Sequence, residues 1–533
     1  MKIKVLLVML TILFNVAFSQ DAFDYQLELT PVEIQDLPGI HSYAFAQHDG
    51  KWLVIGGRLD GLHARQPFNT FPQPYNNSNI YVLDINAQQF WTASVNSLPT
   101  GLSEQLQSTN MNFYQDGDSL YIIGGYAYSP STDDHITFPY LTSIQVSSLI
   151  EAVISGSPIS TFFKQITDDH FAITGGQLGK IGNIFYLVGG QRFDGLYNPM
   201  GHPTYTQTYA DQIQKFTINN SGDLLSFDNY SSISDPVHLR RRDYNLIPQI
   251  FPDGSEGYTI SSGVFQATID LPFLYPVDIN TNGYTPITNF NQYLSNYHSA
   301  NACLYDNASN QMHAIFFGGM SQYYYESGEL IQDDQVPFVK TISRLTRYAD
   351  SSLQEYQLPV EMPALLGASA EFILNEDLPH FDNDIIRLNE IDQDTILIGH
   401  ILGGIYSSTL NPFSNNQTSA TNAENTVYTI KLIRGTQTGV YKIEGTNPFD
   451  FNLYPNPADN HINVNYHLEK PSAVEYFITA SDGQLLQQGK ITQTKMGENT
   501  KTFFIDQSIP SQLLYITLVL DHTFFVTKKL SKN

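Results

Sequence analysis

Short apolar runs closing on two glycines recur along the chain and set its rhythm. They read Trp52-Leu-Val-Ile-Gly-Gly57, Leu120-Tyr-Ile-Ile-Gly-Gly125, Ile184-Phe-Tyr-Leu-Val-Gly-Gly190, His313-Ala-Ile-Phe-Phe-Gly-Gly319 and Ile398-Gly-His-Ile-Leu-Gly-Gly404. An eroded copy is Tyr258-Thr-Ile-Ser-Ser-Gly263. Each run predicts a strand buried on both faces, with glycine at its end for a positive φ or a close backbone approach. The second glycines fall 68, 65, 73, 56 and 85 residues apart, a period that marks a radial or stacked repeat.

Around each run the polar positions repeat as well. A lead-in strand of small and apolar residues precedes it, as in His41-Ser-Tyr-Ala-Phe-Ala, Thr109-Asn-Met-Asn-Phe-Tyr and His298-Ser-Ala-Asn-Ala-Cys. An Asp-Gly or Asn-rich hairpin turn joins the two, at His48-Asp-Gly-Lys51, Gln115-Asp-Gly-Asp118 and Asp306-Asn-Ala-Ser-Asn310. A third strand follows a long loop, behind Pro74-Tyr75, Pro139-Tyr140 or Pro337-Phe338. A fourth ends near Leu98-Pro99, Asp235-Pro236 or Leu358-Pro359. Four antiparallel strands per unit predict a propeller blade. The N-terminal strand Tyr25-Gln-Leu-Glu-Leu-Thr-Pro-Val is expected to complete the sixth blade beside Thr426–Leu432, which removes two open sheet edges. The alternative is a ragged edge capped by Val440-Tyr-Lys-Ile443.

Composition supports the all-β reading. Only 15% of residues are charged and 13% are aromatic, with 36 Gly and 27 Pro for turns, and 533 residues suit a large repeat domain plus a small one. The formal net charge of −26 disfavours nucleic acid and anionic membranes as partners.

Residues 1–19 have the form of a signal peptide: Lys2 and Lys4, an apolar Val5–Phe14, and small residues at Ala17-Phe-Ser19. No later run is long enough for a transmembrane helix, so an exported, soluble mature protein is expected, secreted or at the outer cell surface. The one cysteine, Cys303, cannot form an internal disulfide and is expected to sit in a strand as a small hydrophobe.

These units resemble the kelch repeat family of β-propellers, over residues 20–436. The usual third-strand Tyr and fourth-strand Trp appear well only as Tyr81 with Trp91, so a different or lower blade count stays open beside six. The resemblance implies a module that binds proteins or glycans, with enzymes a minority.

A linker is expected over 437–450, and residues 451–533 hold seven Lys against seven Asp plus Glu, so the acidity lies in the propeller. The opening Phe451-Asn-Leu-Tyr454-Pro455-Asn456-Pro457, an Asp482-Gly483 hairpin and a last strand ending Thr527-Lys-Lys-Leu530 resemble the C-terminal sorting domain of the type IX secretion system of Bacteroidota. The resemblance implies a small β-sandwich and the secretion machinery as a partner. Leu514 stands where that family usually has Gly.

Candidate chemistry is thinner. The sequence holds no phosphate loop, metalloprotease helix, nucleophile elbow or EF-hand loop, and His63, His202 and His298 lack metal-ligand spacing. No metal and no cofactor is expected. A copper-radical centre would need Cys303 bonded to a tyrosine plus two histidines that spacing does not place. The acidic stretch from Asn375 to Asp394 reads as a solvated insertion before a calcium site. An Arg and an Asp-Gly turn recur at Arg58-Leu-Asp60 and Arg192-Phe-Asp194, either pairing across their own loops or meeting a ligand.

Strand alternation puts the loop after each Gly-Gly strand and the lead-in to each first strand on one face of the ring. That face gathers the candidate ligand-binding residues Arg58, His63, Tyr126, Tyr128, Arg192, Tyr197, Tyr323, Tyr324, Arg241 and His298, with Phe68, Tyr205, Tyr325 and His41 near them. The reading is a secreted or surface-held propeller binding module for a protein or glycan. Its alternative is a glycan-acting hydrolase, lyase or epimerase whose carboxylates, or His and Tyr, converge in the central channel. A third is a structural partner in a surface assembly.

Overall fold

The computed structural model describes residues 23–66, 70–198, 204–435 and 439–533. The expected leader 1–19, Phe68, His202 and the first residues of the expected linker, 437 and 438, lie outside them.

Six four-stranded antiparallel blades form the propeller. In strand order, blade 1 is Ala44–His48, Lys51–Ile55, Asn79–Asp84 and Gln89–Ser94. Blade 2 is Asn112–Asp116, Ser119–Ile123, Tyr140–Gln145 and Phe163–Thr167. Blade 3 is Gln177–Ile181, Ile184–Val188, Gln212–Asn219 and Ser226–Ser234. Blade 4 is Asn245–Ile250, Glu256–Ser261, Val277–Asn280 and Gly283–Pro286. Blade 5 is Asn301–Asp306, Gln311–Phe317, Thr341–Arg347 and Leu353–Glu361. Blade 6 takes Glu371–Leu374, Thr395–Leu402 and Val427–Arg434 from the end of the repeat region, and its outer strand is the N-terminal Tyr25–Val32. The register runs from Tyr25 opposite Arg434 to Val32 opposite Val427.

The Gly-Gly pairs staple blade to blade. Both glycines of each pair take a left-handed φ, 67° and 83° at Gly56 and Gly57, and the second donates its N–H to a carbonyl of the next blade. The six bonds are Gly57 to Ser108, Gly125 to Ile173, Gly190 to Arg241, Gly263 to Asn296, Gly319 to Leu366 and Gly404 to Ile40, all 2.7–3.1 Å. The eroded copy keeps its bond because Ser262, at φ 58°, stands in for the missing glycine.

A second ring of backbone bonds lies at the lead-ins. Asn110 N–H donates to Ser42 O, Gly175 to Asn110, Asp243 to Gly175, His298 to Asp243, Ser369 to His298 and Ser42 to Ser369, at 2.8–3.1 Å. One residue from each blade thus closes a cyclic annulus that narrows the channel.

Two segments differ from expectation. The linker adds Tyr441–Ile443 as a further strand outside Leu353–Glu361 of blade 5, and Thr446 bridges Phe290, because the blade edge offers unpaired backbone groups. The acidic insertion is not simply solvated. Ile386–Arg387 pairs in parallel with the inner strand of blade 5, and Ile385, Ile386, Leu388 and Ile391 are buried, an apolar set that its carboxylates mask in sequence.

Residues 451–533 form a two-sheet sandwich. Phe451–Tyr454, His461–Leu468 and Gly497–Phe504 make one sheet, and Leu485–Ile491, Val474–Ala480, Gln512–Leu520 and Phe524–Lys532 make the other. Leu514 fills its core. The sandwich docks on blade 4, where Phe477, Val519 and Phe525 meet Val237, Phe273 and Tyr275. Cys303 is buried in the inner strand of blade 5.

Candidate functional site

The loops after the Gly-Gly strands and the lead-ins share one face. Bridges pair His41 with Arg58, Thr109 with Tyr126, Thr174 with Gln191 and Arg242 with Val264, each joining a lead-in to the residue after its own blade's glycines or their counterpart.

Above the annulus, loops from well-separated blades converge on His63 of blade 1. Its ring stacks on Phe71 at 4.7 Å and meets Tyr197 of blade 3 at 5.1 Å and Phe413 of blade 6 at 5.4 Å. Blades 3 and 6 stand opposite in a six-fold ring, so these side chains span the mouth of the channel. Burial pushes the His63 imidazole down to about 4, leaving it uncharged at neutral pH.

From that centre a chain of aromatic and guanidinium groups runs outward. Arg65 lies 5.4 Å from the Phe413 ring and donates to Ser414 O at 3.2 Å. Tyr197 packs on Tyr205 at 5.7 Å. Arg240 lies over the Tyr209 ring at 3.7 Å, and Arg242 donates to the Tyr209 hydroxyl at 3.2 Å, pairs with Asp243 and lies over Phe265 at 5.0 Å. Phe265 in turn meets Tyr297 at 6.5 Å. These side chains are half-buried.

Several sequence-predicted residues are placed differently. Arg58 is 2% exposed, bound to Asp60 through both its Nε and NH2 groups at 2.6–2.7 Å and to Asn76 at 2.8 Å, so its loop consumes it. Arg192 pairs with Asp194 through Nε alone at 2.7 Å and stays exposed. Tyr126 is 4% exposed and donates to Gly195 O at 2.7 Å, and Tyr128 donates to Asp133 at 2.6 Å within its own hairpin. Tyr323 is buried against Tyr293 in the hairpin of strands Tyr323–Glu326 and Glu329–Gln332, which also carries Tyr324, and neither ring packs on His63.

Arg241 does not reach the face. It is fully buried, 4.3 Å from the Phe273 ring and 4.5 Å from Tyr275, and donates to His238 O, Ser262 O and Tyr275 O. On either side of the buried Arg241, Arg240 and Arg242 both turn to Tyr209. That triplet was the available signal for Arg240 and Arg242; Arg65, Tyr209, Phe265, Tyr297 and Phe413 carried none.

His298 belongs to the annulus, and its side chain lies in the channel. Its Nε2 is 3.3 Å from Oε1 of Glu371, from blade 6, a residue sequence reasoning missed. Burial pushes the Glu371 carboxyl up to about 8 and the His298 imidazole down to about 4, so both favour the uncharged pair. With Tyr43, Met111, Phe113, Gln177 and Asp243 the pair lines a cavity of 20 Å³, room for about one water. Among the described residues no group of three or more His, Cys, Asp or Glu is placed to hold a metal, and no helix is long and apolar enough to cross a membrane.

No family model and no curated protein matches the chain. Of solved structures, 77 chains match. A structure of YjhT aligns at 10% identity over 77% of this chain and 100% of its own, with a TM-score of 0.44. A glycoside hydrolase family 43 arabinoxylan arabinofuranohydrolase from Bacillus subtilis, solved with cellotetraose, aligns at 10% identity over 93% of this chain and 94% of its own, TM-score 0.29. Sucrose-6-phosphate hydrolase from Lactobacillus gasseri gives 10%, 94%, 93% and 0.30. At these scores none of them bears on what this chain binds or converts.

Proposed function

We propose that this chain is an exported β-propeller that binds a glycan or an extended protein segment across its loop face, at the cell surface or in the medium. The observation that carries the reading is the half-buried run of aromatic and arginine side chains from Phe413 through His63 and Tyr197 to Tyr209, Phe265 and Tyr297. Flat apolar faces beside guanidinium donors suit sugar rings and peptide backbones alike. A panel of soluble glycans and surface proteins tested against wild type and a Tyr197→Ala/Tyr209→Ala variant decides it. Loss of a wild-type ligand in the variant is expected; equal binding by both proteins overturns the site.

Export rests on the leader-like residues 1–19 and on the Tyr454-Pro455-Asn456-Pro457 opening of the C-terminal sandwich. Deleting residues 451–533 is expected to leave the propeller retained in the periplasm. Normal export of the truncated chain overturns the sorting role.

A second reading, a glycan hydrolase, lyase or epimerase, is favoured by the His298–Glu371 couple and its water-sized space in the channel. A carboxyl held protonated beside an imidazole can give and take a proton at neutral pH. Product release from a glycan panel, abolished by Glu371→Gln, would establish it; identical product yields would remove it.

A further inference from the structure

We infer that the loop-face ligand is an acidic saccharide whose carboxylate or sulfate groups are held by Arg65 and Arg240; this rests on the binding reading above.

The arginines are the argument. In a chain with 52 acidic and 26 basic residues, a carboxylate partner is easily found, and Arg58, Arg192, Arg347 and Arg387 each have one within 4 Å. Arg65 and Arg240 have none among the described residues. Arg240 spends its NH1 group on Phe265 O at 2.5 Å and Gln266 O at 3.3 Å, which leaves its Nε and NH2 hydrogens uncommitted. Arg65 donates to Ser414 O through NH1, while its Nε is buried and has no partner. A buried donor without an acceptor is costly, and at Arg65 it leaves part of the guanidinium's donor capacity unspent.

The guanidinium groups lie along one run of rings: Arg65 sits on Phe413, which meets His63 and through it Tyr197, and Arg240 and Arg242 share Tyr209. The nearby carboxylates are Asp243, already paired with Arg242, Asp211 beside Arg240, whose carboxyl burial pushes upward, and Asp270 near Tyr197. Among the described residues none of them forms an ion pair with Arg65 or Arg240. Planar guanidinium forks match carboxylate and sulfate oxygens two at a time, and the interleaved faces of Tyr197, Tyr209 and Phe265 offer flat apolar surface to sugar rings.

Calorimetric titration of the full chain with four probes tests this: short oligogalacturonates, their neutral methyl esters, a sulfated galactan oligosaccharide and a neutral glucan. An acidic probe is expected to bind at least about tenfold tighter than its neutral counterpart, and its affinity to fall with added salt. Arg65→Gln and Arg240→Gln, each checked for an unchanged unfolding temperature, are expected to lose about tenfold for the acidic probe and little for the neutral ones. Tighter uronate than sulfate binding assigns carboxylate as the recognised group, and the reverse assigns sulfate. Methyl ester binding as tight as the acid, or folded arginine variants that bind the acid like wild type, overturns the inference. If a variant fails to fold, the acid-against-ester comparison on wild type still decides. Binding of neutral saccharides alone, lost in Tyr197→Ala/Tyr209→Ala, leaves the binding reading standing and removes only the acidic ligand. No saccharide binding at all, with peptide binding at the same face, also removes only this inference; no binding of either removes both.

Discussion

Gly404 donates its backbone N–H to the carbonyl of Ile40, 2.9 Å away, across the seam where the last blade meets the first. The five other seams carry the equivalent bond between residues much nearer in sequence. The ring therefore closes by the same local device that builds it, with the N-terminal strand sealing the outside of the same blade.

Gly404 takes φ 98°, and a Cβ there would stand 2.8 Å from the Ala370 Cβ. Gly404→Ala is expected to cost about 2 kcal/mol or more, from left-handed strain plus crowding. Gly50, at φ 69° in an open hairpin turn with nothing within 4 Å, carries the first cost alone, and Gly50→Ala is expected to lose about 1 kcal/mol. Denaturant midpoints compare the two, and equal losses would contradict the seam's role.

Removing the chain up to residue 32 strips the outer strand of blade 6 and bares Val427–Arg434 as an open edge. It also empties the place of Phe23 and Leu27, both buried in the core shared by blades 5 and 6. Earlier melting and concentration-dependent aggregation are expected in light scattering. A truncated protein that melts with the intact one would refute closure by this strand.

Arg58 and Arg192 occupy matching loop positions with opposite exposure. Arg58→Ala leaves Asp60 and Asn76 without their partner in a buried setting and is expected to cost about 3 kcal/mol or more. Arg192→Ala removes an exposed pair and is expected to change stability by less than about 1 kcal/mol. Thermal unfolding of the two variants measures the contrast directly.

The channel pair fixes a sign for pH dependence. Glu371, pushed up to about 8, binds a proton in the folded protein that the unfolded chain has released above the ordinary carboxylate range. Its contribution to stability is therefore complete at low pH and is lost as pH rises toward and through about 8. His298, pushed down to about 4, acts oppositely at lower pH, favouring the folded state as pH rises from about 4 through the ordinary imidazole value. Glu371→Gln is expected to flatten the decline in unfolding free energy between about pH 6.5 and 8, above the window in which His298 offsets it. A slope unchanged from wild type would show that the pair is not uncharged.

The repeat was legible in the sequence because its causes are local. Two glycines in left-handed conformations, an Asp-Gly turn and an apolar run of strand length act within a few residues of one another, so their recurrence reveals the blade, while six blades and the closing N-terminal strand stood beside alternatives that ring closure resolves. The site depended on register and on distance across the ring. One position of slip in the lead-in to blade 4 is the difference between buried Arg241 and half-buried Arg240 and Arg242. Likewise, the pairing of His298 with Glu371, and the meeting of His63, Tyr197 and Phe413 from blades 5, 6, 1 and 3, follow from closure of the ring. By itself the sequence determined the blade, since this arises from neighbouring residues; closure of the ring fixed the number at six. Only the tertiary structure decided which side chains share a surface, because that contact is made between blades whose separation along the chain carries no periodic trace.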